Sequence, residues 1–231
     1  MNRREFVRIC TAGTGLAITL DAHTAAPTSY KRYERARLLD AGGMPLRART
    51  LVAQRNYVFF YPFQATPCFL LNLGKPALPT QTPATGDAHA WPGGVGPERA
   101  VVAYSAICSH QLTYPTREIS FISFRTGKTG ANRHADVIHC CSEHSQYDPA
   151  QGARVLAGPA PRPLAAVMLE HDAKTDGLYA TGILGSETFD DFFRKYEFRL
   201  AMEHGGRART PIGDACRVTE LDNYCRQQVR C

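Results

Sequence analysis

Two short stretches of this chain carry residues that could do chemistry. Ile107-Cys108-Ser109-His110-Gln111 holds a C-x-H pair, Cys108 and His110. His139-Cys140-Cys141-Ser142-Glu143-His144-Ser145-Gln146-Tyr147-Asp148 holds a C-x-x-H pair, Cys141 and His144. The close spacing within each pair suits a tight turn. Two such turns brought together would place two thiolates and two imidazoles around one metal centre. That mixture of soft and borderline ligands suits zinc or an iron–sulfur cluster.

A third run, Gly158-Pro159-Ala160-Pro161-Arg162-Pro163-Leu164, follows the second loop. C-x-H, C-x-x-H, Tyr147-Asp148 and G-P-A-P-R-P-L, in that order, resemble the Rieske iron–sulfur proteins. The resemblance is strongest to the Rieske subunit of cytochrome bc-type quinol:cytochrome c oxidoreductases and runs roughly from Asn56 to Thr181. It implies a [2Fe–2S] cluster with Cys108 and Cys141 on one iron and His110 and His144 on the other, the ligation that sets a Rieske centre apart from a four-cysteine one. It implies that Gly158, Pro159 and Pro161 cover the cluster, and that Ser145 and Tyr147 donate hydrogen bonds to cluster or ligand sulfur. Neutral imidazole in place of thiolate removes negative charge and raises the potential, to about −150 to +300 mV in the family. The partners implied are a membrane subunit of the cytochrome b type and a c-type cytochrome, with quinol bound at the interface against His110 or His144. The expected role is the electron-transfer subunit of an oxidoreductase, without a complete active site of its own.

Three departures from the bc-type pattern stand out. The cysteines that brace the two loops in that family fall here at Thr113 and Glu143, so that disulfide is absent. The family's H-G-S-x-Y-D is one residue shorter here. Counting back from Tyr147 would put Glu143 in the imidazole position; we keep His144 as the ligand and place the deletion after it. An ionised Glu143 beside the cluster would lower its potential. The stretch between Gln111 and Cys140 is also longer than the pattern leads one to expect.

The elements that must position these loops read as β. Tyr57 to Tyr61, Cys68 to Leu73, Ala100 to Ser105, Thr116 to Phe124, Asp136 to His139, Arg154 to Leu156, Ala165 to Glu170 and Leu178 to Thr181 are short apolar or alternating runs bounded by turn residues. The expected fold is mostly β: a small antiparallel sandwich or barrel of the Rieske type with a cluster-binding subdomain, plus a C-terminal helical extension. The boundaries are 1–26, an export signal or anchor; 27–50, a linker with a short helix over Tyr30 to Leu39; 51–185, the cluster domain; and 186–231, a helix and a cysteine-containing tail. Arg3-Arg4-Glu5-Phe6 before a short apolar stretch resembles a twin-arginine export signal. That predicts the bacterial periplasm or the periplasmic face of the inner membrane. Phe189, Phe192, Phe193 and Tyr196 form one stripe of a helix capped by Ser186, packed on the β domain.

At 231 residues the chain is long enough for an ordinary core. The net charge of +6 favours an acidic partner or an anionic surface. No basic run is interleaved with aromatics, which argues against nucleic acid. Of eight cysteines, two are assigned to metal and Cys10 lies in the leader. Cys68 and Cys140 read as buried filler, and Cys216 and Cys225 as a candidate disulfide in an exported protein. His139 reads as a buried side chain rather than a ligand. Two other readings remain: the Rieske small subunit of a periplasmic molybdenum oxidoreductase of the arsenite-oxidising type, and a structural Cys₂His₂ zinc module.

Overall fold

A computed structural model describes residues 29–80, 91–128 and 134–231. The stretch expected to be an export signal, the first two residues of the expected linker, Cys10, His23 and His89 lie outside those residues. The strands are β1 (Tyr30–Leu39), β2 (Tyr57–Phe60), β3 (Pro67–Asn72), β4 (Val101–Ser105), β5 (Ile119–Ser120), β6 (Ile122–Arg125), β7 (Val137–Cys140), β8 (Ser145–Asp148), β9 (Arg154–Ala157), β10 (Ala166–Asp172) and β11 (Gly177–Leu184). Helices α1 (Glu187–Lys195) and α2 (Glu197–His204) follow, then β12 (Ala215–Arg217), β13 (Thr219–Glu220), α3 (Leu221–Tyr224) and β14 (Gln227–Gln228). The mostly-β expectation holds. Among the described residues no helix is long and apolar enough to cross a membrane.

Eight strands form one sheet in the order β12-β1-β11-β10-β4-β3-β2-β13. Its two edge strands, β12 and β13, are separated in sequence only by Val218. Consecutive residues lie about 3.8 Å apart, so the two edges must meet and the sheet curls into a nearly closed barrel. A second, four-stranded antiparallel sheet, β6-β7-β8-β9, stacks beside it. Strands β3 and β4 are buried on both faces. Cys68, Leu70, Val101 and Ala103 point into the barrel interior, while Phe69, Leu71, Val102 and Tyr104 join Ile122, Ile138 and Tyr147 between the sheets. Double burial explains why these strands read as continuous apolar runs rather than alternating ones.

One expectation is corrected. Residues 30–39 are not a linker helix but β1, a ten-residue strand paired with β11 and β12. Its period of two is masked by charge: Ala36 and Leu38 are fully buried, and the alternate Arg35 and Arg37 lie over the Tyr179 ring at 3.4 and 5.2 Å. Residues 186–231 carry the expected helix and also complete the β sheets. Strands β12 and β13 supply both sheet edges, and β14 pairs in parallel with β5.

Helix α1 does lay its aromatic stripe on the β core, as expected, although the Ser186 side chain makes no capping bond. Phe192 is fully buried, 4.9 Å from the Tyr114 ring and 5.5 Å from the Tyr196 ring. Phe192→Ala should cost about 3–5 kcal/mol, the range for emptying a buried aromatic site. Urea denaturation checks this; a loss under 1 kcal/mol would mean α1 is not part of the cooperative core.

Candidate metal centre

Three loops converge at one end of the four-stranded sheet. The first follows β4 and turns at Cys108, whose N–H donates to Thr113 O at 2.8 Å while Leu112 N–H donates back to Cys108 O at 2.9 Å. The second joins β7 to β8 and runs from Cys140 to Ser145. The third is the Gly-Pro run after β9. It is fastened to the first loop by Ser109 Oγ, which donates to Arg162 O at 2.6 Å. It is pressed against the second at Gly158, where a Cβ would stand 2.5 Å from Ser145 Cα and 2.6 Å from His144 O. Helix α1 braces this end from outside. Asp191 Oδ2 holds the Arg162 guanidinium at 2.9 Å, and Lys195 Nζ donates to Gln111 O at 2.6 Å.

At Gly158 the backbone adopts φ +87°, which L side chains rarely take. Gly158→Ala therefore meets both backbone strain and a clash with the second loop. We expect it to destabilise the protein by about 1–3 kcal/mol and to lower the bound-metal content of purified protein. Full metal content with unchanged stability would show that the Gly-Pro run does not press on the second loop.

The structure brings Cys108 together with Cys140, not with Cys141. Both thiols are fully buried between the sheets and hydrogen-bond each other. Each sulfur also accepts from two amides of its own loop: Cys108 from His110 and Gln111, Cys140 from Ser142 and Glu143. Tyr147 OH lies 3.2 Å from Cys108 Sγ and accepts from Ser109 N–H at 3.2 Å. Donation from the Cys140 thiol, together with Tyr147 and the amides, holds Cys108 below the ordinary thiol range against its burial. Giving up that proton bond and burial push Cys140 up.

Cys141 points elsewhere. Its sulfur forms a disulfide with Cys231, the last residue, 90 positions away. The assignment of Cys141 as a metal thiolate is therefore corrected, because a sulfur bonded to sulfur is not the thiolate a metal binds. The reason is the period of two along β7. Ile138 and Cys140 face inward with Tyr147 and the barrel wall. His139 faces the other way and sits 3.6 Å from Cys231 Sγ. His139, Cys141 and Cys231 place their ligand atoms within 4.8 Å of one another, but both sulfurs are consumed by the disulfide. Burial, helped by His144 and Arg125, pushes the His139 imidazole down to about 4, so it is neutral near pH 7. The candidate Cys216–Cys225 pairing does not form. Cys216 lies in the barrel core and Cys225 in the layer between the sheets, both as free thiols.

The remaining predicted residues divide in two. His110 Nδ1 and Ser145 Oγ are buried and have no hydrogen-bond partner among the described residues. Ser145 stands directly opposite Cys140 in the β7–β8 ladder. His144 does not join them: its backbone turns through φ +57° and its ring packs against His139, centroids 5.7 Å apart. Pro159 and Pro161 lie in the covering run, both exposed. The site thus holds two facing thiols, one buried imidazole nitrogen without a partner, and two hydroxyls, one of them also unpaired. Such orphaned polar atoms are costly unless something occupies the space between them. A bound group offering a Lewis acid to nitrogen and sulfur, and an acceptor to the Ser145 hydroxyl, would satisfy all of them.

No family model matches the chain. The soluble domain of the Rieske protein II (soxF) from Sulfolobus acidocaldarius is similar at 27% identity, over 65% of this chain and 78% of that chain, with a TM-score of 0.48. The character of the site rests on this chain's own loops.

Proposed function

We propose that this chain carries one electron at a time through a [2Fe–2S] cluster of the Rieske kind, as the iron–sulfur subunit of a quinol-oxidising assembly. The observation that carries the reading is the pair of buried thiols, each wrapped by two amides, beside the unpartnered His110 Nδ1 and Ser145 Oγ. Cys108 and Cys140 would hold one iron and His110 the other, with the last position filled from the Ser142–His144 turn. When bound, the cluster supplies a reversible one-electron couple.

The protein's own groups do the rest. The amides and Tyr147 donate to the thiolate sulfurs, which favours the reduced, more negative state and raises the potential. Ser145 Oγ offers a further donor from the floor of the site. The Gly-Pro run and α1 keep water from the sulfurs, while the loop tip at Gln111 stays exposed toward a partner. We take that partner to be a membrane subunit of the cytochrome b type that delivers quinol, with a c-type cytochrome receiving the electron. The twin-arginine-like leader would place the protein at the periplasmic face of the membrane. If molybdenum co-purifies in place of b-type haem, the assembly is of the arsenite-oxidising type.

Purified protein tests the reading directly. Two iron and two acid-labile sulfide per chain, visible absorption, and a paramagnetic signal on one-electron reduction are expected. A colourless protein containing only zinc would overturn it in favour of the structural module. Within the holoprotein, Tyr147→Phe removes the hydroxyl 3.2 Å from Cys108 Sγ. It should lower the midpoint potential at unchanged iron content. A potential that stays put or rises would show that Tyr147 does not tune the sulfur.

A further inference from the structure

We propose that the fourth ligand of this centre is the Glu143 carboxylate rather than an imidazole, which gives a set of two thiolates, one histidine and one carboxylate. The inference rests on the cluster reading above and concerns only the ligand that reading leaves open.

The two loops are built alike around their sulfurs. In the first, the amides of residues two and three after Cys108 donate to its sulfur; in the second, those two and three after Cys140 donate to Cys140. That match fixes Cys140 as the counterpart of Cys108 and fixes where its loop can return a side chain. In the first loop the residue two positions on, His110, presents the orphaned Nδ1. In the second the candidates are Ser142, Glu143 and His144. His144 is withdrawn. Its positive φ swings the chain into β8, and its ring lies against His139. Alternation along β7 puts His139 on the sheet face opposite Cys140. Ser142 offers only a neutral hydroxyl. Glu143 carries an anionic oxygen ligand on a side chain long enough to reach back. Among the described residues no hydrogen bond or ion pair holds its carboxylate, and it is exposed at the loop tip.

A carboxylate in place of neutral imidazole adds one negative charge to the centre. The chain would thereby trade a high potential for a lower one, at the net-charge lever that sets iron–sulfur potentials. It would also leave one imidazole, not two, among the ligands.

Counting nitrogens in the reduced full-length holoprotein by electron–nuclear double resonance tests this, with iron and sulfide measured on the same sample. One strongly coupled nitrogen is expected, unchanged in both spectrum and iron content by His144→Ala. Glu143→His should show a second coupled nitrogen and an upward shift of the midpoint potential. Two coupled nitrogens in the wild type, one of them lost in His144→Ala, would overturn the assignment and leave the cluster reading intact. A Glu143→His protein with full iron and still one nitrogen would overturn it as well. Wild-type protein lacking iron and sulfide would instead remove the cluster reading, and this ligand with it.

Discussion

Cys140→Ser is expected to abolish iron and sulfide binding, whereas Cys141→Ser is expected to keep both. The two residues are neighbours in sequence and chemically identical, so a tenfold or greater difference in iron content can come only from where the strand points them. Cys140 is fully buried, hydrogen-bonded to Cys108 and opposite Ser145. Replacing its sulfur with a hydroxyl would remove half of the thiolate pair from the site. Cys141 faces the tail and is bonded to Cys231. Its loss should leave the loop amides and Cys108 in place. Iron and acid-labile sulfide assays on the two variants, purified side by side in the cold, decide the matter. Iron lost in Cys141→Ser and retained in Cys140→Ser would reverse the ligand assignment.

Cys231→Ser should in turn weaken the fold more than it weakens the site. The Cys141–Cys231 bond closes a segment of 90 residues that contains β8 to β14 and all three helices. In the chain-entropy picture, cross-linking a loop of that length stabilises by on the order of 4–5 kcal/mol, with strain in the native state working against it. For a protein of this size that corresponds to a fall in Tm on the order of 10 °C. The bond also anchors the end of the chain beside the second loop, where Val229 O accepts from the Arg125 guanidinium and β14 lies on β5. Thermal melts of wild type and Cys231→Ser, with and without a dithiol reductant, check the expectation. The reductant should lower the wild-type midpoint to that of the variant and leave the variant unmoved. Equal midpoints in all four samples would mean that the bond contributes nothing. This bond stands in for the loop-to-loop brace missing at Thr113: the second loop is tied to the C-terminus instead of to the first loop.

Much of this protein is determined locally. The order of the three loop motifs, the apolar runs of β2, β3 and β4, and the aromatic stripe of α1 all follow from residue types at short spacing, because hydrophobic period and turn chemistry act within a few residues. His110, Ser145 and Tyr147 belong to that class: the structure puts Tyr147 beside Cys108 and Ser145 opposite Cys140, and buries His110 Nδ1 without a partner among the described residues. A signal for Cys140 was present too: the spacing from Tyr147 back through Ser145 fits without any deletion, and only a preference for imidazole over carboxylate argues against it. What the tertiary structure alone decides is facing and pairing. Whether Cys140 or Cys141 looks inward depends on the register of β7 against β6 and β8, since a shift of one residue turns every side chain to the opposite face. That Cys141 finds Cys231, and that the charged stretch at residues 30–39 is a strand in the barrel wall, depend on partners more than 80 positions away in sequence. Contacts over such separations come from the closure of the whole barrel and are encoded in no single segment.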